Sequence, residues 1–140
     1  MPKSCTAADY MAASLVTFRP DTPVLDAIHQ LIEKRISGAP VVDSSGDLVG
    51  MLTEKDCMKV ALSAGYHGEA GGRVAEYMAR EVETIDARTS IIDLAQKFLR
   101  GSYRRFPVME DNRMVGQISR RDVLRALQDL TTGDCVGWTG

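Results

Sequence analysis

A stretch of seven residues recurs in this chain: Gly50-Met51-Leu52-Thr53-Glu54-Lys55-Asp56 returns as Gly116-Gln117-Ile118-Ser119-Arg120-Arg121-Asp122. Each copy reads glycine, two residues suited to a strand, a hydroxyl, two charged residues and an aspartate, with a helical pattern directly behind. A Thr or Ser just before a helix caps its first N–H groups, and an acid three residues on reciprocates by accepting from the cap residue. The spacing therefore predicts a strand running straight into a helix N-terminus. At that corner spare backbone N–H groups, a carboxylate and a hydroxyl converge, a combination suited to an anionic or hydroxyl-rich ligand.

The rest of the chain follows the same duplication. Tyr10-Met11 aligns with Tyr77-Met78 at an offset of 67, which also places Thr17 on Thr84, Thr22 on Thr89, Asp26 on Asp93 and Pro40-Val41 on Pro107-Val108. One deletion, in the turn Ser44-Ser45-Gly46-Asp47 against Asp111-Asn112-Arg113, then brings Gly50 onto Gly116, Thr53 onto Ser119 and Asp56 onto Asp122.

Each copy opens with a short helical turn ending at Met11 or Met78, followed by a brief strand near Val16–Phe18 or Glu83–Ile85. Thr22-Pro23 and Thr89-Ser90 supply helix starts. Val24, Leu25, Ile28, Leu31, Ile32 and Ile36 recur at helical spacing behind the first, and Ile91, Ile92, Ala95, Phe98 and Leu99 behind the second. Two strands joined by a polar turn come next, Ala39–Val42 to Leu48–Leu52 and Phe106–Met109 to Met114–Ile118. A final helix begins at Thr53 or Ser119. The order is β-α-β-β-α in each copy, an α/β (α+β) class, with copies at 7–64 and 74–130, a glycine-rich linker at 65–73 and a mobile tail at 131–140.

Composition narrows the function. A formal net charge of −2 gives no support to nucleic-acid or anionic-membrane binding. No apolar run approaches the ~18 residues of a membrane span, and no leader pattern opens the chain, so a cytoplasmic location is expected. Cys5, Cys57 and Cys135 are odd in number, widely spaced and unaccompanied by His29 or His67. Reduced thiols are thus the expectation, with neither a disulfide framework nor a zinc site. No Ser-His-Asp or Cys-His arrangement is evident, so the chain is not expected to be an enzyme.

With two such copies in register, the chain from about Ala7 to Leu130 resembles a tandem pair of CBS domains, a Bateman module; the name comes from cystathionine β-synthase. The resemblance implies two repeats packed with pseudo-twofold symmetry and two clefts between them. It further implies a stand-alone regulatory module that binds an adenosine-containing ligand: AMP, ADP or ATP, with S-adenosylmethionine or NADH possible, and no required cofactor. Carried over by position, Asp56 with Thr53 and Asp122 with Ser119 take ribose and phosphate. Val16, Thr17, Ala39 and Pro40, and Thr84, Ile85, Phe106 and Pro107, wall the base. The chemistry agrees independently, since a carboxylate accepts two hydrogen bonds from a cis-diol. A polyphosphate adds a need for cations, for which Arg104, Arg105, Lys55, Arg120 and Arg121 are candidates. Ser37-Gly38 stands where the second copy has Arg104-Arg105, so one cleft is expected to bind well and the other weakly.

Plainer readings stand beside these. Each T-x-x-D stretch also serves as a simple cap worth ~1 kcal/mol, and surface cations are commonly just solvated. Met51, Met58, Met109 and Met114 are expected to fill the core. Cys57, next to Asp56, reads as a buried thiol with a redox role as the alternative. Trp138 reads as an end residue of the tail. The competing function is a ligand-free structural or dimerisation module acting through an unknown partner protein. In it the apolar faces Val60, Ala61 and Leu62, and Val123, Leu124, Leu127 and Leu130, pair across two chains as a homodimer.

Overall fold

The computed structural model describes residues 3–13, 15–62 and 71–136. In chain order the elements are β1 (Lys3–Ser4), α1 (Ala7–Tyr10), α2 (Val24–Lys34), β2 (Gly38–Val42), β3 (Leu48–Thr53), α3 (Glu54–Met58), a 3-10 turn (Val74–Glu76), β4 (Ile85–Asp86), α4 (Ile91–Arg100), β5 (Arg105–Glu110), β6 (Arg113–Ser119), α5 (Arg120–Thr132) and β7 (Cys135–Val136). They form two compact units, Val16–Val82 and Met1–Leu15 with Glu83–Gly140.

In the first-copy unit, β2 and β3 pair antiparallel from Gly38 opposite Thr53 to Val42 opposite Leu48. The brief strand expected at Val16–Phe18 amounts to one parallel bridge, Phe18 to Val41. Pro23, φ −57°, precedes α2, so the helix begins one residue after the expected proline position. Thr22 turns its hydroxyl to Arg19 N at 3.1 Å instead of capping the helix. The buried stripe of α2 (Val24, Ala27 and Leu31) sends Ala27 and Leu31 against Phe18, Ala39, Val41, Leu52 and Cys57.

In the second-copy unit a three-stranded sheet runs β4-β5-β6, parallel then antiparallel. Ser90 caps α4 through Asp93 N at 3.2 Å. Ile91, Leu94 and Phe98 close on Phe106, Val108 and Ile118. The β5–β6 turn places Asp111 and Asn112 at φ 50° and 64°, the two successive left-handed residues that suit a tight hairpin. The longer β2–β3 turn is held instead by Asp43 Oδ1, which accepts from Ser45 N at 2.9 Å and Asp47 N at 3.0 Å. Both hairpins shift register at equivalent points, Val41/Val42 and Val108/Met109.

The lead segments are exchanged between the copies. α1 belongs to the second-copy unit, where Ala12 and Gln117 trade backbone bonds at 2.9 and 3.0 Å. Ala79, its equivalent, trades two bonds of 2.9 Å with Met51 in the first-copy unit. Two glycines permit this close approach. A Cβ on Gly116 would stand 2.8 Å from Ala12 O, and one on Gly50 would stand 2.9 Å from Ala79 O.

Several expectations require correction. Cys5 and Cys135 are joined in a disulfide, so they are not reduced thiols, and Cys57 is the free cysteine. The spacing hid this pair, because it lies 130 residues apart and meets only once β1 and β7 align in parallel. The tail is ordered at its start: α5 runs to Thr132, Gly133 at φ 81° ends it, and β7 follows. Trp138 and most of the expected linker lie outside the described residues. Met58 is exposed and does not fill the core, as are Leu25, Ile32 and Leu99 on the two long helices. Val60 and Val123 are buried, leaving Leu62 and Leu124 outward on the expected pairing faces. No helix among the described residues is long and apolar enough to cross a membrane.

Candidate functional site

Each unit carries one strand-to-helix corner. Ser119 ends β6 in extended backbone (φ −111°, ψ 170°) and α5 starts on the next residue. Asp122 Oδ2 accepts from Ser119 N at 2.9 Å and from Ser119 Oγ at 3.0 Å, and Asp122 N donates back to Ser119 Oγ at 3.3 Å. The first-copy corner has nearly the same geometry. Thr53 lies at φ −116°, ψ 167°. Asp56 Oδ2 accepts from Thr53 N and Oγ1, each at 3.0 Å, and Asp56 N donates to Thr53 Oγ1 at 3.3 Å. The capping boxes fix each carboxylate through one oxygen and leave the other, Oδ1, turned to a cation.

That cation is a basic residue three positions along the helix, which the sequence pattern did not single out. Arg125 Nη2 donates to Asp122 Oδ1 at 2.9 Å and to Tyr10 O at 3.1 Å. Its equivalent Lys59 reaches Asp56 Oδ1 at 3.5 Å. The i,i+3 spacing of acid and base was the available signal. Both carboxylates are mostly covered, at 14% (Asp56) and 18% (Asp122) exposure. Each still has acceptor capacity, since an ionised carboxylate offers about four lone-pair sites and Asp122 uses three.

Among the cation candidates, Arg105 is the register partner of Ser119 across β5 and β6. Arg104 offers its carbonyl to Arg120 N at 3.4 Å while its side chain is exposed. Arg120 directs its Nε to Tyr103 O at 3.0 Å. Lys55 and Arg121 are exposed on the first turns of α3 and α5. In the first-copy unit Ser37 O takes the Glu54 N bond at 2.9 Å, the position Arg104 fills in the other. The second corner is therefore the more basic of the two.

Of the base-wall candidates, Ala39, Ile85 and Phe106 are in the apolar interior, and Pro40 and Pro107 are fully buried. The Phe106 ring lies 4.7 Å from Phe98 and 4.9 Å from Tyr103, centroid to centroid. Val16 and Thr84 are half-buried and Thr17 is exposed.

His29 and Cys57 are each engaged locally. His29 is exposed and pairs with Glu33 at 2.9 Å. Burial, then Asp56 and Glu54, pushes the Cys57 thiol above its ordinary pKa, opposite to what a reactive thiolate needs. Among the described residues no group of three or more His, Cys, Asp or Glu is arranged to hold a metal.

Two related copies, each with a capping-box corner whose aspartate is backed by a cation, define a tandem-repeat α/β class. The CBS domain family matches residues 7–63 and 74–129, and the chain belongs to that family. The fold is similar to that of CBSX2 from Arabidopsis thaliana, solved in complex with AMP: TM-score 0.79 and 28% identity over 91% of this chain and 98% of that one. It is also similar to the CBS domain pair of protein MJ0100, solved with 5-methylthioadenosine and S-adenosyl-L-methionine: TM-score 0.73 and 26% identity over 89% of this chain and 97% of that one. An uncharacterised protein of Methanocaldococcus jannaschii, MJ1225, is 26% identical over 85% of this chain; the chain spans 41% of that relative's length.

Proposed function

We propose that this chain is a non-catalytic regulatory module that binds an adenosine nucleotide of the AMP, ADP or ATP class. Asp122 with Ser119 grips the ribose hydroxyls, and Asp56 with Thr53 forms a weaker counterpart. The observation that carries this reading is the duplicated corner: two carboxylates, each anchored through one oxygen and able to accept more, where a ribose cis-diol needs such an acceptor. The AMP bound to CBSX2 supports the same chemistry. Arg104 and Arg105 beside Ser119, against Ser37 and Gly38 beside Thr53, favour the second corner for phosphate.

A thermal-shift screen of AMP, ADP, ATP, NADH and S-adenosylmethionine tests it. A ligand that binds only the folded state stabilises it by about 2.7 kcal/mol at a hundredfold excess over Kd. The shift is expected to vanish in Asp122→Ala and to persist, reduced, in Asp56→Ala. Two equal sites by calorimetry would remove the asymmetry, and no shift with any of the five would leave the structural alternative.

One further observation favours self-association. The exposed apolar side chains repeat with the duplication: Leu25 with Ile92, Ile32 with Leu99, and Met58 with Leu124. Such twinned patches suit a second copy of the chain as a homodimer, with the nucleotide state read by a partner protein.

A further inference from the structure

Tyr10 links two features of the second-copy unit that the sequence keeps far apart. Its hydroxyl donates to the Asp129 carboxylate and lies 3.6 Å from Cys135 Sγ. Its carbonyl oxygen holds Arg125 Nη2 at 3.1 Å, and the same nitrogen holds Asp122 Oδ1 at 2.9 Å. The Cys5–Cys135 bond thus sits at one end of a contact chain and the candidate ribose acceptor at the other.

The fastening around that bond is slight. β1 and β7 are two residues each, and Cys5 adds backbone bonds to Val136 O at 2.7 Å and from Ile91 N at 2.9 Å. Both sulfurs are buried, so a reductant reaches them only when these short strands open, and elements held by so few bonds are the ones that open first. The first copy has no such device. By the repeat offset it carries Gly72 and Glu69 in place of the cysteines, and the ammonium of Lys59 in place of the forked Arg125.

We propose that the Cys5–Cys135 disulfide is a redox-operated latch on the Ser119–Asp122 corner, closed when oxidised and released by a dithiol reductant. A thiolate of the reductant attacks one sulfur, forming a mixed disulfide and expelling the other cysteine as a thiolate. The second thiol of the reductant then attacks the reductant's own sulfur in that mixed disulfide and expels the remaining cysteine as a thiolate. Two electrons and two protons pass to the protein, leaving two cysteine thiols, and the reductant leaves as its own disulfide. Release removes one tie on α1, which keeps its bonds from Ala7 N to Thr89 O and from Ala8 N to Ala87 O. The hold of Tyr10 O on Arg125 loosens, and the Arg125–Asp122 pair gains freedom to rearrange. Only the effect on AMP rests on the function proposed above.

Hydrogen exchange of the nucleotide-free full chain, oxidised and after reduction with dithiothreitol, tests the latch. Maleimide tagging reports the thiol state. Reduction is expected to speed exchange at Cys5–Ala12 and at the Ser119 and Asp122 amides by about fivefold or more, with Thr53 and Asp56 unchanged. Equal exchange at Ser119 and Asp122 in both states overturns the latch, as does an equal rise at both corners. The double variant Cys5→Ser with Cys135→Ser should match the reduced parent; if it does not fold, reduction of the parent alone decides. In calorimetry, AMP is expected to bind the reduced chain about 5-fold to 150-fold more weakly. Equal or tighter binding on reduction also overturns the proposal. AMP binding in neither state, with the exchange difference present, refutes the nucleotide function and leaves the latch standing.

Discussion

Gly116→Ala tests whether the exchanged lead segment depends on the missing side chain. Gly116 lies at an ordinary extended position on β6, so the variant introduces no backbone strain and acts through contact alone. The new Cβ would stand 2.5 Å from Met11 Sδ, 2.8 Å from Ala12 O and 2.9 Å from Met11 Cγ. The Met11 side chain is flexible and can move aside. Ala12 O cannot, because Ala12 is held by its paired bonds to Gln117, so a backbone shift of a few tenths of an ångström is required. Overpacking of this kind costs about 1–3 kcal/mol, while alanine recovers about 0.4–1 kcal/mol by restricting the unfolded chain. The net expectation is a loss of roughly 0.5–2.5 kcal/mol, read as a lower urea midpoint at unchanged m-value. Met11→Ala on the same background should restore part of the loss, since two of the three close atoms belong to Met11, and the remainder belongs to Ala12 O. A Gly116→Ala chain as stable as the parent, or more stable, would refute the steric argument.

Two other predictions concern the rest of the molecule. Burial, then the hydrogen bond to Asp129, raises the Tyr10 pKa from 10.0 to about 12. The folded state therefore keeps a proton that the unfolded state loses, and the stabilisation is complete below pH 10 and declines as pH rises from there to about 12. Alkaline urea titrations should show that decline in the parent and a flatter profile in Tyr10→Phe; parallel curves would contradict the assignment. Ile32→Glu with Leu99→Glu, both at exposed positions, should halve the mass seen by light scattering while leaving the unfolding midpoint within about 0.5 kcal/mol; an unchanged mass would exclude those helix faces as the contact.

Local chemistry was legible and distant chemistry was not. The corners could be read because a capping box closes within four residues, so Thr53–Asp56 and Ser119–Asp122 carry their own geometry. Helix starts at Ser90 and Ser119 follow the same logic, whereas Thr22 found a nearer partner in Arg19 N. Periodicity located Val24 and Leu31 of the buried stripe of α2 but missed Ala27, and it did not separate stripe from rim, since Ile32 and Leu99 face solvent. Arg125 escaped notice because half of its role depends on Tyr10, 115 residues earlier. The Cys5–Cys135 pair escaped for the same reason: spacing along a chain says little about two ends joined by a parallel strand pair.

The order of synthesis is at odds with the order in which this protein can be completed. By the time Val82 has been made, every strand and helix of the first-copy unit exists, its borrowed turn at Val74–Glu76 included. Ala12, made some seventy residues sooner, has nothing to pair with until Gln117 appears, and Cys5 waits longer still for Cys135. The segment that leads into the first copy is thus made before that unit and placed after it. A fragment that stops between the copies would carry that stretch with its sheet absent, and lack the turn that covers Gly50.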